Sequence, residues 1–220
     1  MDINAVAFDI DGTLYSNGRM HLQSLPFALR HIRQLKAFRR VRLELRRTRP
    51  IEDFHRLQAE LFGRELGVSV GKAAEIIETV FYDRWEQVLR RVPLFPGVRE
   101  TVAAFRDAGL KVAVASDFPV ARKLGLLGID GLWDCEVSTE EVGYLKPNPE
   151  PFHALLDCLG EPPERVLYVG NSYRYDVEGA KAVGMYAAHL TRRPERDSIA
   201  DFSFYRYDRL RQWVLTDRRN

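Results

Sequence analysis

The sequence has only two cysteines in 220 residues, Cys135 and Cys158, which fit no metal-ligand spacing and are too few for a disulfide framework. A reducing cytoplasm is therefore the default expectation. Its apolar runs are short, as at Val112 to Ala115, far below the roughly 20 residues that span a bilayer, which excludes a transmembrane helix. No basic stretch precedes an apolar one in the opening MDINAVAFDIDG, so the N-terminus does not read as a secretory signal. Hydrophobic residues are not scarce: at 45%, beside 29% charged, they exclude disorder as the main state. A chain of this length can bury roughly seven-tenths of the surface its unfolded form exposes, enough for a full core without staples.

The net charge of +2 conceals an asymmetry, because residues 19–92 carry 16 Lys/Arg against 9 Asp/Glu. That middle stretch lacks the β-branched runs on either side of it. Turn residues cluster near its ends, at Asn17-Gly18 and Pro93 to Gly97. The pattern predicts an inserted helical domain over 17–93, with a core domain built from 1–16 and 94–220. Leu29, Ile32, Leu35, Phe38, Val41 and Leu45 recur at spacings of three and four and predict a first helix. A second is expected over Ile51 to Leu66, ended by Gly67, and a third from about Lys72 to Arg91.

The flanks predict an α/β fold. Ile3 to Phe8, Lys111 to Ala115, Arg165 to Val169 and Met185 to His189 are near-continuous apolar runs of strand length with helical patterns between most of them. This is the pattern of a doubly wound parallel sheet covered on both faces. Phe202, Phe204 and Tyr205 could add a last strand and Tyr207 to Leu215 a closing helix, with Asp217 to Asn220 frayed. Right-handed crossovers place every strand's C-terminal end on one edge, where open α/β sheets bind ligands.

The residues at that edge carry the chemistry. Asp9 and Asp11 stand two apart where the first strand leaves the sheet, followed by Gly12, which allows a sharp turn. Two such acids are economically satisfied by a cation, and hard oxygens suit Mg²⁺ with a phosphate; the plainer reading is an Asx turn. Ser116 ends the second strand ahead of a helix opened by Pro119, which is either a phosphate-binding arrangement or an N-cap. In Gly143 to Pro149 two prolines hold Lys146 in a rigid loop, where a fixed cation could neutralise a phosphoryl group or could simply be a solvated surface charge. Gly170-Asn171-Ser172 follows another strand, with Asp176 five residues past the Asn. Each is weak alone, and their order along the chain is the signal.

In that order the segments FDIDGTL, VAVASD, GYLKPNPEPF and YVGNSYRYD resemble the four motifs of the haloacid dehalogenase superfamily, whose members are mostly phosphate-ester hydrolases. The resemblance covers residues 3–15 and about 95–190, with the helical insert where the family carries its C1 cap. It implies a Rossmann-like core and a Mg²⁺-dependent phosphatase acting on a small organic phosphate monoester. Asp9 would be the nucleophile that becomes an aspartyl phosphate. Asp11 would be general acid and base, its carbonyl also a metal ligand. Ser116 and Lys146, with Asp117 beside them, would bind the phosphoryl group, and Asp9, Asp11, Asn171 and Asp176 would make the metal site. An acid at position 11 favours phosphate chemistry over carbon–halogen cleavage.

The sequence departs from the family pattern at Asn171, where an Asp is usual; an amide oxygen can coordinate Mg²⁺ but brings no charge, which implies a weaker site. Asp176 is expected to orient a metal-bound water or to pair with Lys146. Asp117 stands where Asn is common, and a carboxylate there could discourage some anionic substrates. The alternatives are a phosphotransferase or mutase of the same fold, and a non-catalytic anion-binding or regulatory module. From Arg30 to Arg49 nine Lys/Arg face the single acid Glu44, a run that most simply reads as a solvated helix face. No aromatic ladder accompanies it, so nucleic acid has little support as a partner. None of the five histidines stands at the spacing of a helical zinc pair, and the Phe/Tyr-rich tail leaves the oligomeric state open.

Overall fold

The computed structural model describes residues 2–217 of the chain. Six parallel strands form one sheet in the order β3-β2-β1-β4-β5-β6, built from β1 (Ala5–Asp9), β2 (Lys111–Ser116), β3 (Cys135–Ser138), β4 (Val166–Gly170), β5 (Tyr186–Leu190) and β6 (Phe202–Phe204). After β1 the chain runs through α1 (Asn17–Gln23), α2 (Leu25–Arg30), α3 (Ile32–Leu45), α4 (Phe54–Leu66) and α5 (Val70–Ile76). It continues in wide π-helical turns over Ile77–Trp85 and tight 3₁₀ turns over Glu86–Arg91. The remaining helices are α6 (Val98–Asp107), α7 (Val120–Leu127), α8 (Thr139–Val142), α9 (Pro149–Leu159), α10 (Glu178–Ala182) and α11 (Tyr207–Asp217).

Every residue of β1 is buried, because helices cover both faces of the sheet. Its alternate side chains serve two cores. Val6 and Phe8 pack with Val102 and Phe105 of α6, Leu124 of α7 and Leu210 of α11. Ala5 and Ala7 face Phe152 and Leu155 of α9 and Ala180 of α10, where small residues let the helices approach closely. Strands are added to one side of β1 and then, from β4 onward, to the other. The carboxyl ends of β1, β2 and β4 therefore border the crevice where the strand order reverses.

The helical excursion has an apolar cluster of its own. Phe38, Val41 and Leu45 of α3 pack against Phe62 of α4 and Phe81, with the Phe38 and Phe81 rings stacked at 4.0 Å. Local chemistry sets the boundaries: Asp53 caps α4 by accepting from the Arg56 amide at 2.9 Å, and Gly67 ends it at φ 72°. The helix expected from Ile51 therefore begins at Phe54. The stripe expected to start at Leu29 begins at Leu35, since Leu29 and Ile32 are both exposed. Where the excursion leaves and rejoins the sheet its two connections lie side by side, with Tyr15 bridged to Leu94 and the Phe95 amide donating to the Leu14 carbonyl at 2.8 Å.

Two findings differ from the sequence expectations. β3 is not legible as an apolar run because it is an edge strand, with Glu136 exposed between Cys135 and Val137. That strand also brings Cys135 to Cys158 of α9, and the two form a disulfide with their Cα atoms 6.1 Å apart. Two cysteines, too few for a framework, still make one staple.

Candidate active site

Asp9 is the last residue of β1, and its carboxylate, 6% exposed, meets residues from three other segments. Lys146 Nζ donates to Asp9 Oδ1 at 2.8 Å, to Asp176 Oδ1 at 2.6 Å and to the Tyr168 hydroxyl at 2.9 Å. All three ammonium hydrogens are thereby engaged. Thr13 Oγ1 donates to Asp9 Oδ2 at 2.7 Å. Burial, aided by the nearby Asp176 and Asp11 carboxylates, pushes the Asp9 carboxyl up to about 7 against the opposing pull of Lys146. Burial would depress the Lys146 ammonium, but Asp176 and Asp9 hold it well above its ordinary value.

Asp11 lies on the other side of the turn, which Gly12 makes at φ 89°; a Cβ there would stand 2.3 Å from Asn17 Nδ2 and 2.7 Å from Asn171 Nδ2. The Tyr15 hydroxyl donates to Asp11 Oδ1, while Lys123 Nζ and Ser116 Oγ, the latter at 2.9 Å, donate to Oδ2. Burial would raise this acid, but the Lys123 ammonium together with those hydrogen bonds holds it below the usual carboxylate range. Asp11 is thus anionic as found, and must first take up a proton to act as an acid. Ser116 is placed by β2, and its Oγ accepts from the Phe118 amide at 3.2 Å.

Asn171 follows β4 and can turn either end of its amide toward Asp9 and Asp11. With Nδ2 inward it lies 3.0 Å from the Asp11 carbonyl oxygen, 3.1 Å from Thr13 Oγ1 and 3.3 Å from Asp9 Oδ2, donating to them. With Oδ1 inward it stands 3.1 Å from Thr13 Oγ1, whose one hydrogen is shared with the nearer Asp9 Oδ2, and three oxygens from Asp9, Asp11 and Asn171 converge. Neighbouring oxygens around an octahedral Mg²⁺ with bonds of about 2.1 Å stand about 3 Å apart, so the trio fits that ion. It supplies one carboxylate, one main-chain carbonyl and one amide. Among the described residues no group of three or more His, Cys, Asp or Glu side chains could hold a metal ion.

Of the two roles expected of Asp176, the pairing with Lys146 is the one seen: its oxygens are taken by Lys146 and by the Ser172 amide, the latter at 2.9 Å, and are not turned to the trio, where a metal ligand was expected. Gly170 makes room for it, since a Cβ there would lie 2.3 Å from Asp176 Cβ. Nor does Asp117 offer itself to a phosphoryl group. Its carboxylate accepts from Arg46 Nη2, from Thr139 Oγ1 at 2.9 Å and from the Lys146 amide at 3.1 Å. Burial opposes ionisation, but Arg46, Lys146 and Arg42 together keep Asp117 below its ordinary value.

Arg46 caps the C-terminal end of α3, and Arg42, which is 5% exposed, lies within it. Arg42 bonds Glu140, the Asp117 carbonyl and, at 3.2 Å, Gln58 Oε1, with its guanidinium 4.5 Å from the Phe118 ring centre. Arg49 reaches Glu150 and Asn148 Oδ1. The solvated-face reading of the basic run therefore fails for Arg42 and Arg46, which tie α3 to the sheet edge beside Ser116, and holds for Arg49, which is exposed.

A family model of haloacid dehalogenase-like hydrolases matches residues 3–184. The chain belongs to that family. Among curated relatives of this haloacid dehalogenase-like hydrolase, pyrophosphatase PpaX of Halalkalibacterium halodurans is 27% identical over 191 residues, covering 86% of this chain and 83% of that one. Glyceraldehyde 3-phosphate phosphatase of Methanopyrus kandleri is 29% identical over 206 residues, covering 89% and 87%. The crystal structure of a HAD phosphatase from Thermococcus onnurineus superposes with a TM-score of 0.65 at 24% identity, covering 96% and 98%, and so shares the fold. The protein is a hydrolase of this family, and the two curated relatives just described are named as phosphatases.

Sequence reasoning missed Thr13, Tyr15, Lys123 and Tyr168, all of which touch Asp9, Asp11 or Lys146 in this haloacid dehalogenase-like hydrolase. A signal exists for Lys123. It stands on the apolar stripe of α7 with Val120, Leu124 and Leu127, where a charge must find a buried partner. Arg42 carries the same signal on α3, between Phe38 and Leu45. Tyr15 and Tyr168 are indistinguishable in sequence from core aromatics.

Proposed function

We propose that this protein is a Mg²⁺-dependent phosphatase that hydrolyses a small organic phosphate monoester through an aspartyl phosphate on Asp9. The observation that carries this reading is the carboxylate of Asp9, with Oδ1 on Lys146 and Oδ2 within 3.3 Å of the Asn171 amide that also meets the Asp11 carbonyl. Asp9 Oδ2, the Asp11 carbonyl and Asn171 Oδ1 would hold the ion. Bound there, Mg²⁺ supplies positive charge that offsets the repulsion between an anionic nucleophile and an anionic ester.

In the first step a bond forms from an Asp9 carboxylate oxygen to phosphorus and the bond from phosphorus to the ester oxygen breaks. The departing oxygen takes a proton from the cluster of Asp11, Lys123 and Tyr15. In the second, water adds to phosphorus, Asp11 accepts its proton, and the bond between Asp9 and phosphorus breaks to restore the carboxylate. Ser116 faces the phosphoryl group once its hydroxyl is released from Asp11.

The test is phosphate release from a generic aryl phosphate with and without Mg²⁺, together with acid quenching during turnover of phosphorus-labelled substrate. Label should remain on the protein after the acid quench and leave it with hydroxylamine, as an acyl phosphate does. Turnover without any trapped acyl phosphate would remove Asp9 from the nucleophile role. The amide at 171 gives a second expectation. Asn171→Asp should lower the Mg²⁺ concentration for half-activation by about tenfold or more, because a second carboxylate joins the trio. An unchanged metal titration would exclude the side chain as a ligand.

A further inference from the structure

Beyond Asp11 the crevice opens into a cavity of about 210 Å³ under the helical excursion, walled by Tyr15, Phe81, Trp85, Phe118 and Leu89. One acid lines it. Glu86 is 4% exposed, and neither of its carboxyl oxygens has a hydrogen-bond partner. Buried carboxyls without partners are costly and uncommon, so this one requires an explanation. The first-turn position in the 3₁₀ segment does not supply it, since no amide of that segment bonds the side chain. The cavity it lines begins at the residue that handles the leaving oxygen, which places Glu86 where the organic part of an ester would sit.

We propose that Glu86 selects the substrate: its free carboxyl receives a hydrogen-bond donor, a hydroxyl or a protonated amine, on the leaving group of the phosphate ester and rejects esters whose leaving group is anionic. The assignment rests on the phosphatase reading of the site, whose geometry fixes which end of the ester lies at Asp11. A largely apolar pocket with a few convergent polar groups, here Glu86 with Asn17, His21 and the Lys123 already bound to Asp11, is the ordinary construction of a specificity site. A site built to hydrogen-bond one group rejects ligands that leave it unpaired far more strongly than it rejects a misfit in size. Aromatic walls beside a carboxylate also suit an ammonium group. Burial pushes this acid up to about 7, with Lys123 and Arg122 opposing and Asp11 and Glu140 adding to the rise. Below that pH the carboxyl is neutral; above it the pocket holds an unpaired anion, so discrimination should sharpen from pH 6 to pH 8.

The experiment compares kcat/KM for glycerol 1-phosphate, O-phosphoethanolamine and phosphoglycolate at pH 8 in the wild type and in Glu86→Gln. The two donor-bearing esters should exceed phosphoglycolate by about tenfold or more, and Glu86→Gln should shrink that ratio by about tenfold through KM. A greater loss in the phosphoethanolamine arm assigns an amine, and equal losses assign a hydroxyl. A wild-type preference for phosphoglycolate overturns the proposal. So does a variant that slows all three by one factor, as a merely structural role would. Calorimetric binding of the same esters to Asp9→Asn, with and without Glu86→Gln, needs no turnover and separates the two readings. Glu86-dependent preference for the donor-bearing ligands without hydrolysis by the wild type would sink the phosphatase reading and leave this one standing. Binding without that preference, or no binding of any of the three, would sink this one.

Discussion

Asp9→Asn should reduce phosphate-ester hydrolysis by at least about a thousandfold, because the carboxylate that would attack phosphorus is replaced by an amide that cannot. The same substitution should leave the thermal midpoint unchanged or raise it in the absence of divalent ions. Burial carries Asp9 from 3.8 to about 7. An acid raised in this way stabilises nothing by ionising. The folded state loses stability as pH climbs through the unfolded value near 3.8, and the loss is complete above about 7. The asparagine carries no such penalty, so its advantage over the wild type should be absent at pH 4 and full at pH 8. Lys146 keeps Asp176 at 2.6 Å and the Tyr168 hydroxyl at 2.9 Å, so the ammonium is not left bare. Residual turnover above about one part in a thousand would remove Asp9 from the chemistry, and a sharp fall in midpoint would mean that its ion pair outweighs its burial.

What could be read from the sequence follows from where each signal is written. β1, β2, β4 and β5 are buried on both faces, so their apolar runs are continuous and their ends, with Asp9, Ser116 and Gly170, can be located to within two residues. β3 escaped because an edge strand has a wet face, and the disulfide escaped with it, since no spacing rule pairs residues 23 apart. The directions of side chains were beyond reach. Motif order brings Asp176 near Lys146, but only coordinates show the lysine filling all three of its hydrogen bonds within the core. The partners of Arg42 are 16, 75 and 98 residues away, and nothing local in α3 announces them.

Arg42→Met should be the most destabilising substitution away from Asp9 and Lys146, at about 3–5 kcal/mol, the usual cost of removing one member of a buried ion pair. It strands Glu140, which is 1% exposed, and leaves the Asp117 carbonyl and Gln58 Oε1 without their donor. Methionine fills much of the volume against Phe38, Phe54 and Phe118, so the loss is mainly one of charge and hydrogen bonding rather than of packing. Adding Glu140→Gln should restore a large part of the stability. The glutamine brings no charge and can still accept from the Tyr82 hydroxyl, which lies 2.7 Å from Glu140 Oε2. Urea titrations of the wild type, the single variant and the double variant would decide the matter. A single variant within 1 kcal/mol of the wild type, by the measure of exposed pairs, would mean that the network is not desolvated in solution.

Arg42 and Arg46 grip the sheet edge on the flank that holds Ser116 and Asp117, whereas α1, with Asn17, Met20 and His21, borders the cavity on the opposite flank without an ion pair to the strands among the described residues. The excursion is therefore held by ion pairs along one seam and, along the other, by the packing of Met20 into the core and the 3.4 Å hydrogen bond from Asn17 Nδ2 to the Asp11 carbonyl. The ion-paired seam fixes Asp117 and the loop of Lys146 against the end of α3, where Arg46 bonds both.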